Sequence, residues 1–198
     1  MRLKQIKSEE ALSLTFIKMR KDIEKIIKIV DGVSVSVSDG MVSVKSGGKE
    51  LSRKFDTPNI KIIVDGDSVK VSAPRADKRD LKMIGTTVAH ISNMIKGVKE
   101  EFVYELEICN VHFPMNVKSD GKKVVIKSFL GETHDRIAKI IPGAKVEVSG
   151  TKIVVSGSDR EAAGQTAANL EKATRLTGRD RRVFQDGIYI TNKCGRAI

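Results

Sequence analysis

The sequence predicts an α+β protein of two duplicated domains, each a mostly antiparallel β-sheet packed on one α-helix. Three observations carry this. Apolar residues alternate in short runs broken by Asp-Gly or Ser-Gly pairs, the pattern of β-hairpins. Two longer stretches instead place apolar residues at helical spacing. The order of these elements then recurs. SVSVSDGMVSVKS (34–46) is answered by MNVKSDGKKVVIKS (115–128), and VDGDSVKVSAP (64–74) by VSGTKIVVSGS (148–158). The two helices close on NMIKG (93–97) and TRLTG (174–178), so the chain reads as an internal duplication with a period of roughly eighty residues.

The elements follow in order. Residues 1–24 form an N-terminal extension. Across residues 1–30, Leu12, Phe16, Met19, Ile23 and Ile26 have loose helical spacing, which suits an amphipathic arm or an unordered extension equally. Met19, just before the patterned region, is an alternative start. The first repeat spans 25–108. Val33, Val35 and Val37 face Val42 and Val44 across Asp39-Gly40. Ile60, Ile62 and Val64 face Val69 and Val71 across Asp65-Gly66, and Pro74 ends that hairpin. Leu81, Ile84, Val88, Ile91 and Ile95 then form one helical stripe stopped by Gly97, with Lys82, Thr86, His90, Asn93 and Lys96 off the stripe on a solvated face. A strand with alternating Phe102, Tyr104, Leu106 and Ile108 closes the repeat.

The second repeat spans 109–193. Phe113, Met115 and Val117 answer Val124 and Ile126 across Asp120-Gly121. Val146 and Val148 answer Ile153 and Val155 across Ser149-Gly150. Ser158 to Glu161 has capping-box spacing and opens a helix reaching about Leu176, before Gly178. Ala163, Ala167 and Leu170 give that helix a small-residue face able to lie close on a sheet. Ile188 and Ile190 supply a closing strand, and 194–198 is a basic tail.

Composition narrows the function. The 198 residues carry 36 Lys and Arg against 25 Asp and Glu, a net charge of +11. Such self-repulsion is tolerated where the partner is acidic, and nucleic acid fits better than a membrane because no stretch resembles an anchor. No apolar run is long enough to span a bilayer, and the N-terminus lacks a signal-peptide core. Cys109 and Cys194 form no CxxC pair, and His90, His112 and His134 have no ligand spacing, so no metal or other cofactor is expected and the setting reads as reducing and cytosolic. Cys109, within a strand pattern, is expected buried, and Cys194 exposed. His134-Asp135 near Glu132 offers acid–base residue types without a nucleophile. No phosphate-cradling loop or dinucleotide fingerprint is present, and Gly47-Gly48 reads as a loop. An enzyme reading, with a small-molecule substrate, therefore has no residue to rest on.

Charge concentrates at the C-terminal end. From residue 172 onward the cations Lys172, Arg175, Arg179, Arg181, Arg182, Lys193 and Arg196 face only Asp180 and Asp186. A guanidinium presents a planar fork of donors matched to phosphate oxygens. Gln165, Asn169, Lys172 and Arg175 fall on neighbouring turns of the second helix and lead directly into the arginines. A polyanion contact accounts for this better than solubility alone.

Those residues also carry a family resemblance. GRDRRVFQDGIYI (178–190) followed by Lys193 resembles the C-terminal signature of the sixth large-subunit ribosomal protein family in its archaeal and eukaryotic form. GQTAANLEKATR (164–175), AHISNMIKGV (89–98), HFPM (112–115) and FLGE (129–132) resemble further segments of that family, and the likeness spans roughly 25–193. Residues 1–18 and the tail after Lys193 lie outside it. The resemblance implies two α+β domains, of which the second grips large-subunit rRNA near the sarcin-ricin loop, beside the platform where translational GTPases dock. It implies rRNA backbone contacts on Arg175, Arg179, Arg181, Arg182 and Lys193, with Gln165, Asn169 and Lys172 secondary. Partners would be rRNA and neighbouring ribosomal proteins, with translational GTPases nearby and no membrane. A free-standing RNA-binding or regulatory module with the same fold is the alternative, and a protein-interaction module without nucleic acid stands third.

Overall fold

Alternating valines and serines cannot form a helix with one apolar face, but as strands they bury every second side chain. In the computed structural model, which describes residues 21–198, the chain does this repeatedly and divides into two compact units between Ile95 and Lys96.

The first unit contains β1 (Lys21–Lys28), β2 (Ser34–Ser38), β3 (Met41–Ser46), β4 (Lys49–Lys54), β5 (Lys61–Asp65), β6 (Ser68–Ala76) and most of helix α1 (Lys78–Lys99). Two antiparallel three-stranded sheets result, in the orders β2-β3-β4 and β1-β6-β5. Asp39 (φ 47°) and Gly40 (φ 75°) are both left-handed, as a two-residue hairpin turn requires. Val42, Val44, Val69 and Val71 are fully buried. The second unit repeats the plan with β7 (Phe102–Cys109), β8 (Asn116–Ser119), β9 (Lys123–Lys127), β10 (Arg136–Lys139), β11 (Ala144–Ser149), β12 (Lys152–Gly157) and helix α2 (Arg160–Ala173). It then adds β13 (Gly187–Lys193) and β14 (Arg196–Ala197). Its sheets are β10-β9-β8 and a five-stranded β11-β12-β7-β13-β14. Leu106, Ile108, Ile153, Val155 and Ile188 from the larger sheet share one core with Val124, Ile126 and Phe129, and α2 adds Ala163, Ala167 and Leu170. Burying each large aliphatic side chain contributes about 1.5–3 kcal/mol.

Several expectations change. Ile23 and Ile26 lie in β1, a strand paired with β6, and not in a helix; Leu12, Phe16 and Met19 lie outside the described residues. The stretch 102–109, expected to close the first repeat, is hydrogen-bonded between β12 and β13 in the sheet of the second. It heads the second repeat as β1 heads the first, since β1 pairs with β6 where β7 pairs with β12. Strands β4 and β10 went unread because KELSRK and RIAK lack apolar alternation; β10 begins at Arg136, directly after the exposed loop that carries His134-Asp135. Pro74 does not end β6. Beyond Ser72 only β1 lies alongside, so the missing N–H costs little, and the register shift between Lys21 and Ile23 is met by Arg75 (φ 51°) donating its N–H to Asp22 at 2.8 Å.

The helices differ in detail. The buried face of α1 is Ile84, Thr87, Ile91, Met94, Ile95 and Val98, leaving Leu81 47% exposed. Lys82, Thr86 and Lys96 are exposed and His90 and Asn93 half-buried. Helix α2 is capped by Asp159, whose side chain accepts from Glu161 N–H at 2.9 Å, in place of the expected Ser158 box, and it ends at Ala173. The tail is partly ordered into the sheet: β14 pairs with Asn192 and Lys193, and Cys194 N–H donates to Val103 O. Cys109 and Cys194 are both half-buried.

Gly97 does not stop α1, which continues to Lys99. A Cβ at this position would lie 2.0 Å from Ser158 O and 2.8 Å from the Phe102 ring, so only glycine lets the end of α1 rest on that backbone. Gly97→Ala should therefore lower stability by about 2–3 kcal/mol in urea unfolding. Gly85→Ala, on the same helix with nothing within 4 Å of its Cβ, should raise it by about 0.5–1 kcal/mol. Equal effects of the two changes would refute the close-packing account.

Candidate nucleic-acid interface

Where the sequence clusters its arginines, the chain leaves α2, makes a short excursion, and returns as β13. Three anchors hold that excursion. Asp186 is only 2% exposed, and its Oδ1 accepts the backbone N–H groups of Val111 (2.8 Å) and His112 (2.9 Å). Its Oδ2 lies 2.6 Å from His112 Nδ1, which must donate because an ionised carboxylate only accepts. Burial alone would raise the Asp186 carboxyl, but the three donors outweigh it and hold the group at about 2.

The second anchor is a stack. The His112 ring lies on Phe184 at 4.9 Å between centroids, and the Arg179 guanidinium covers Phe184 at 4.8 Å. The third is Thr174, buried at the end of α2, whose hydroxyl accepts the Ile188 N–H at 3.0 Å and so joins helix end to strand. Between these anchors Asp180 closes a turn. Its carbonyl accepts Val183 and Phe184 N–H groups, and its side chain accepts Arg182 N–H at 2.9 Å. Arg181 and Arg182, at the head of that turn, are exposed.

The end of α2 is held from the other side by Arg136. Its Nη1 donates to the carbonyls of Ala173 (2.9 Å) and Arg175 (3.2 Å), a positive charge at the negative end of the helix. Its Nε donates to Glu132 at 2.8 Å, and its guanidinium covers Phe129 at 4.2 Å. The Arg136 hydrogen bond lowers the Glu132 carboxyl, with the charges of Arg136, Arg179 and His134 adding to it against partial burial. The FLGE segment thus serves as a support for the helix end, and His134 and Asp135 sit exposed beside it.

The structure gathers some expected contacts and separates others. Lys172, Arg175 and Arg181 line one cleft of about 320 Å³ together with Glu171, Thr174 and Tyr189. Arg179 lies over Phe184, and Arg182 stands on the same turn as Arg181. Lys193 is at the far end of β13, roughly 20 Å along the strand from Gly187. Gln165 and Asn169 are bonded to each other at 2.9 Å, and Asn169 also donates to Lys139 O, so both are engaged within the protein. Among the described residues none of Lys172, Arg175, Arg179, Arg181, Arg182 or Lys193 forms an ion pair. Sequence reasoning missed His112, Arg136, Thr174 and Tyr189. The first three act on partners distant in sequence and leave no local pattern; Tyr189 was visible only as part of a strand. Among the described residues no group of three or more His, Cys, Asp or Glu side chains could hold a metal ion, and no helix is long and apolar enough to cross a membrane.

Comparison with known proteins locates the same two repeats. The family model described as "Ribosomal protein L6" matches residues 29–101 and again 113–187. The chain is 47% identical over 176 residues to the large ribosomal subunit protein uL6 of Methanococcus vannielii, covering 89% of this chain and 97% of that one. It is 48% identical over 171 residues to the large ribosomal subunit protein uL6 of Methanobrevibacter smithii, covering 86% and 96%.

Because the Asp186 carboxyl is depressed in the folded state, its contribution is present above the ordinary carboxylate range and is lost as pH falls from about 4 to about 2. Asp186→Asn should cost about 2 kcal/mol at neutral pH, with the gap to the native chain closing by about pH 2. Urea unfolding across that range reads this; a gap independent of pH would show that the carboxylate charge is not what holds the clasp.

Proposed function

The chain belongs to the ribosomal protein L6 family, and from that premise we propose that it is a structural component of the large ribosomal subunit, gripping rRNA with the basic end of its second unit. The observation that supports this reading is the set of exposed, unpaired cations Lys172, Arg175, Arg181 and Arg182, carried on backbone anchored at Asp186 and Thr174. Flexible basic tails neutralise phosphate too, but they must order on binding. Here the ordering is already done by the fold, so the cations meet phosphates at fixed spacing. Folded RNA is recognised largely through shape, phosphate and 2′-hydroxyl contacts, which suits a rigid positively charged edge.

The role is positional and not catalytic. The protein locks one packing of rRNA, and neighbouring ribosomal proteins complete its surroundings in the ribosome. Placement near the sarcin-ricin loop and the docking region of translational GTPases is supported by the resemblance of the C-terminal segment to that family. Arg175, Arg179, Arg181 and Arg182 are the principal contacts in this reading. Lys193 belongs to a separate contact at the far end of β13, while Gln165 and Asn169 support the helix.

Two measurements test the proposal. In a sucrose gradient the chain should sediment stoichiometrically with large subunits; a free chain in lysate would favour the independent RNA-binding module. Changing Arg181 and Arg182 together to Ala should weaken binding to large-subunit rRNA and flatten its dependence on log salt by about two units. An unchanged slope would remove this turn from the interface.

A further inference from the structure

The cleft between the end of α2 and the start of β13 has a composition that bulk charge does not explain. Three of its lining side chains are cations, Lys172, Arg175 and Arg181, and one is a carboxylate, Glu171. The third kind is an aromatic ring, Tyr189, and in a protein with aromatic content of only 4% its placement among cations is informative. The side chain does not belong to the core. Ile188 is fully buried and Ile190 packs against the core, so Tyr189, between them on the strand, faces the other way and remains 38% exposed.

The backbone accommodates that ring specifically. A Cβ at Gly187, two residues earlier on the same face, would lie 3.1 Å from the Tyr189 ring and hydroxyl. Glycine there lets the phenol end lie close on the strand, where a side chain would press it away by a few tenths of an ångström, and the ring stays partly open. The cleft's other wall is fixed as well: Thr174 accepts the Ile188 N–H, and Arg136 holds the helix end through Ala173 and Arg175 carbonyls. Strand β14 covers β13 only at Asn192 and Lys193, so the edge at Gly187–Tyr189 stays clear of it.

We infer that this cleft is a subsite for one unstacked nucleotide of single-stranded RNA, with the base on the Tyr189 ring and its phosphate among Lys172, Arg175 and Arg181. The inference rests on the rRNA-binding reading and narrows it from a charged edge to a built pocket. At about 320 Å³ the cleft stands at the small end of the roughly 300–1,000 Å³ range of ligand sites, room for one nucleotide and not a stacked run. Base–aromatic stacking tolerates any base, and the cations supply phosphate recognition of the same generality. Glu171 is the one acceptor-only group in the cleft, placed to take a hydrogen bond from the ribose 2′-hydroxyl or an exocyclic amine. A duplex end, whose bases are already stacked and paired, has no means of entering.

The test uses the full chain with a short single-stranded RNA carrying a fluorescent purine analogue, a blunt duplex of the same sequence, and folded large-subunit rRNA. Stacking on Tyr189 should quench the analogue in the single strand only. Tyr189→Leu should abolish the quench and weaken single-strand binding about tenfold without altering the salt slope, because no phosphate contact is lost. Tyr189→Phe should behave as the native chain. Arg175→Ala, at an exposed position outside the sheet, reads the phosphate half separately and should lower the slope by about one unit while the quench persists. Native-like quenching and affinity in Tyr189→Leu would overturn the subsite while leaving the rRNA reading intact, as would binding of folded rRNA without any binding of the single strand. Failure to bind any of the three RNAs would overturn the rRNA reading itself.

Discussion

The Asp186 carboxylate gathers two backbone N–H groups and an imidazole from a segment seventy-four residues earlier, and the basic end of the second unit depends on it. Segment 177–186 has little burial of its own: most of its side chains are exposed, and its internal hydrogen bonds belong to one turn. Without a buried anchor such a segment would sample many conformations, and its arginines would present no fixed spacing. The carboxylate fastens the segment at its downstream end, Thr174 fastens the helix from which it departs, and Phe184 lies against His112 between them. The residue that ends the excursion therefore directly precedes the strand that carries Tyr189.

The two repeats make the consequence visible. Both lay down a leading strand, a three-stranded sheet, a hairpin joined to the leading strand, and a helix. Only the second continues into β13, which lies against β7 on the side away from β12 and widens the sheet to five strands. Among the described residues no strand pairs with the corresponding edge of β1. The addition after α2 also carries Arg175, Arg179, Arg181, Arg182 and Lys193, none of them in an ion pair among the described residues. Duplication supplied a stable frame, and the basic surface was built on the extension peculiar to one copy.

The glycines and small residues of the helices show how sequence patterns acquire a second meaning. Gly97 looked like a helix terminator because glycine commonly is one, yet the neighbouring Ser158 carbonyl is what excludes a side chain there. Gly187, in an Asp-Gly pair, opens a strand and gives an aromatic ring room to lie on it. Leu81 satisfied the helical period but stayed exposed, because the period marks a stripe and not which edge of it meets the sheet. Thr87 took a buried place in its stead.

The sequence by itself determined the hairpins, the two helices, their repetition and the concentration of positive charge near the C-terminus. Each of these rests on contacts between near neighbours or on a sum over residues, which local order records directly. Tertiary structure alone decided that 102–109 heads the second repeat, that Asp186 holds His112, that Arg136 caps α2, and that Tyr189 meets Lys172, Arg175 and Arg181 in one cleft. It also withdrew Gln165 and Asn169 into the protein's own hydrogen bonds and set Lys193 at the far end of β13. These depend on which strand lies beside which, and a strand's alternation states that it has a buried face without stating whose edge it will join.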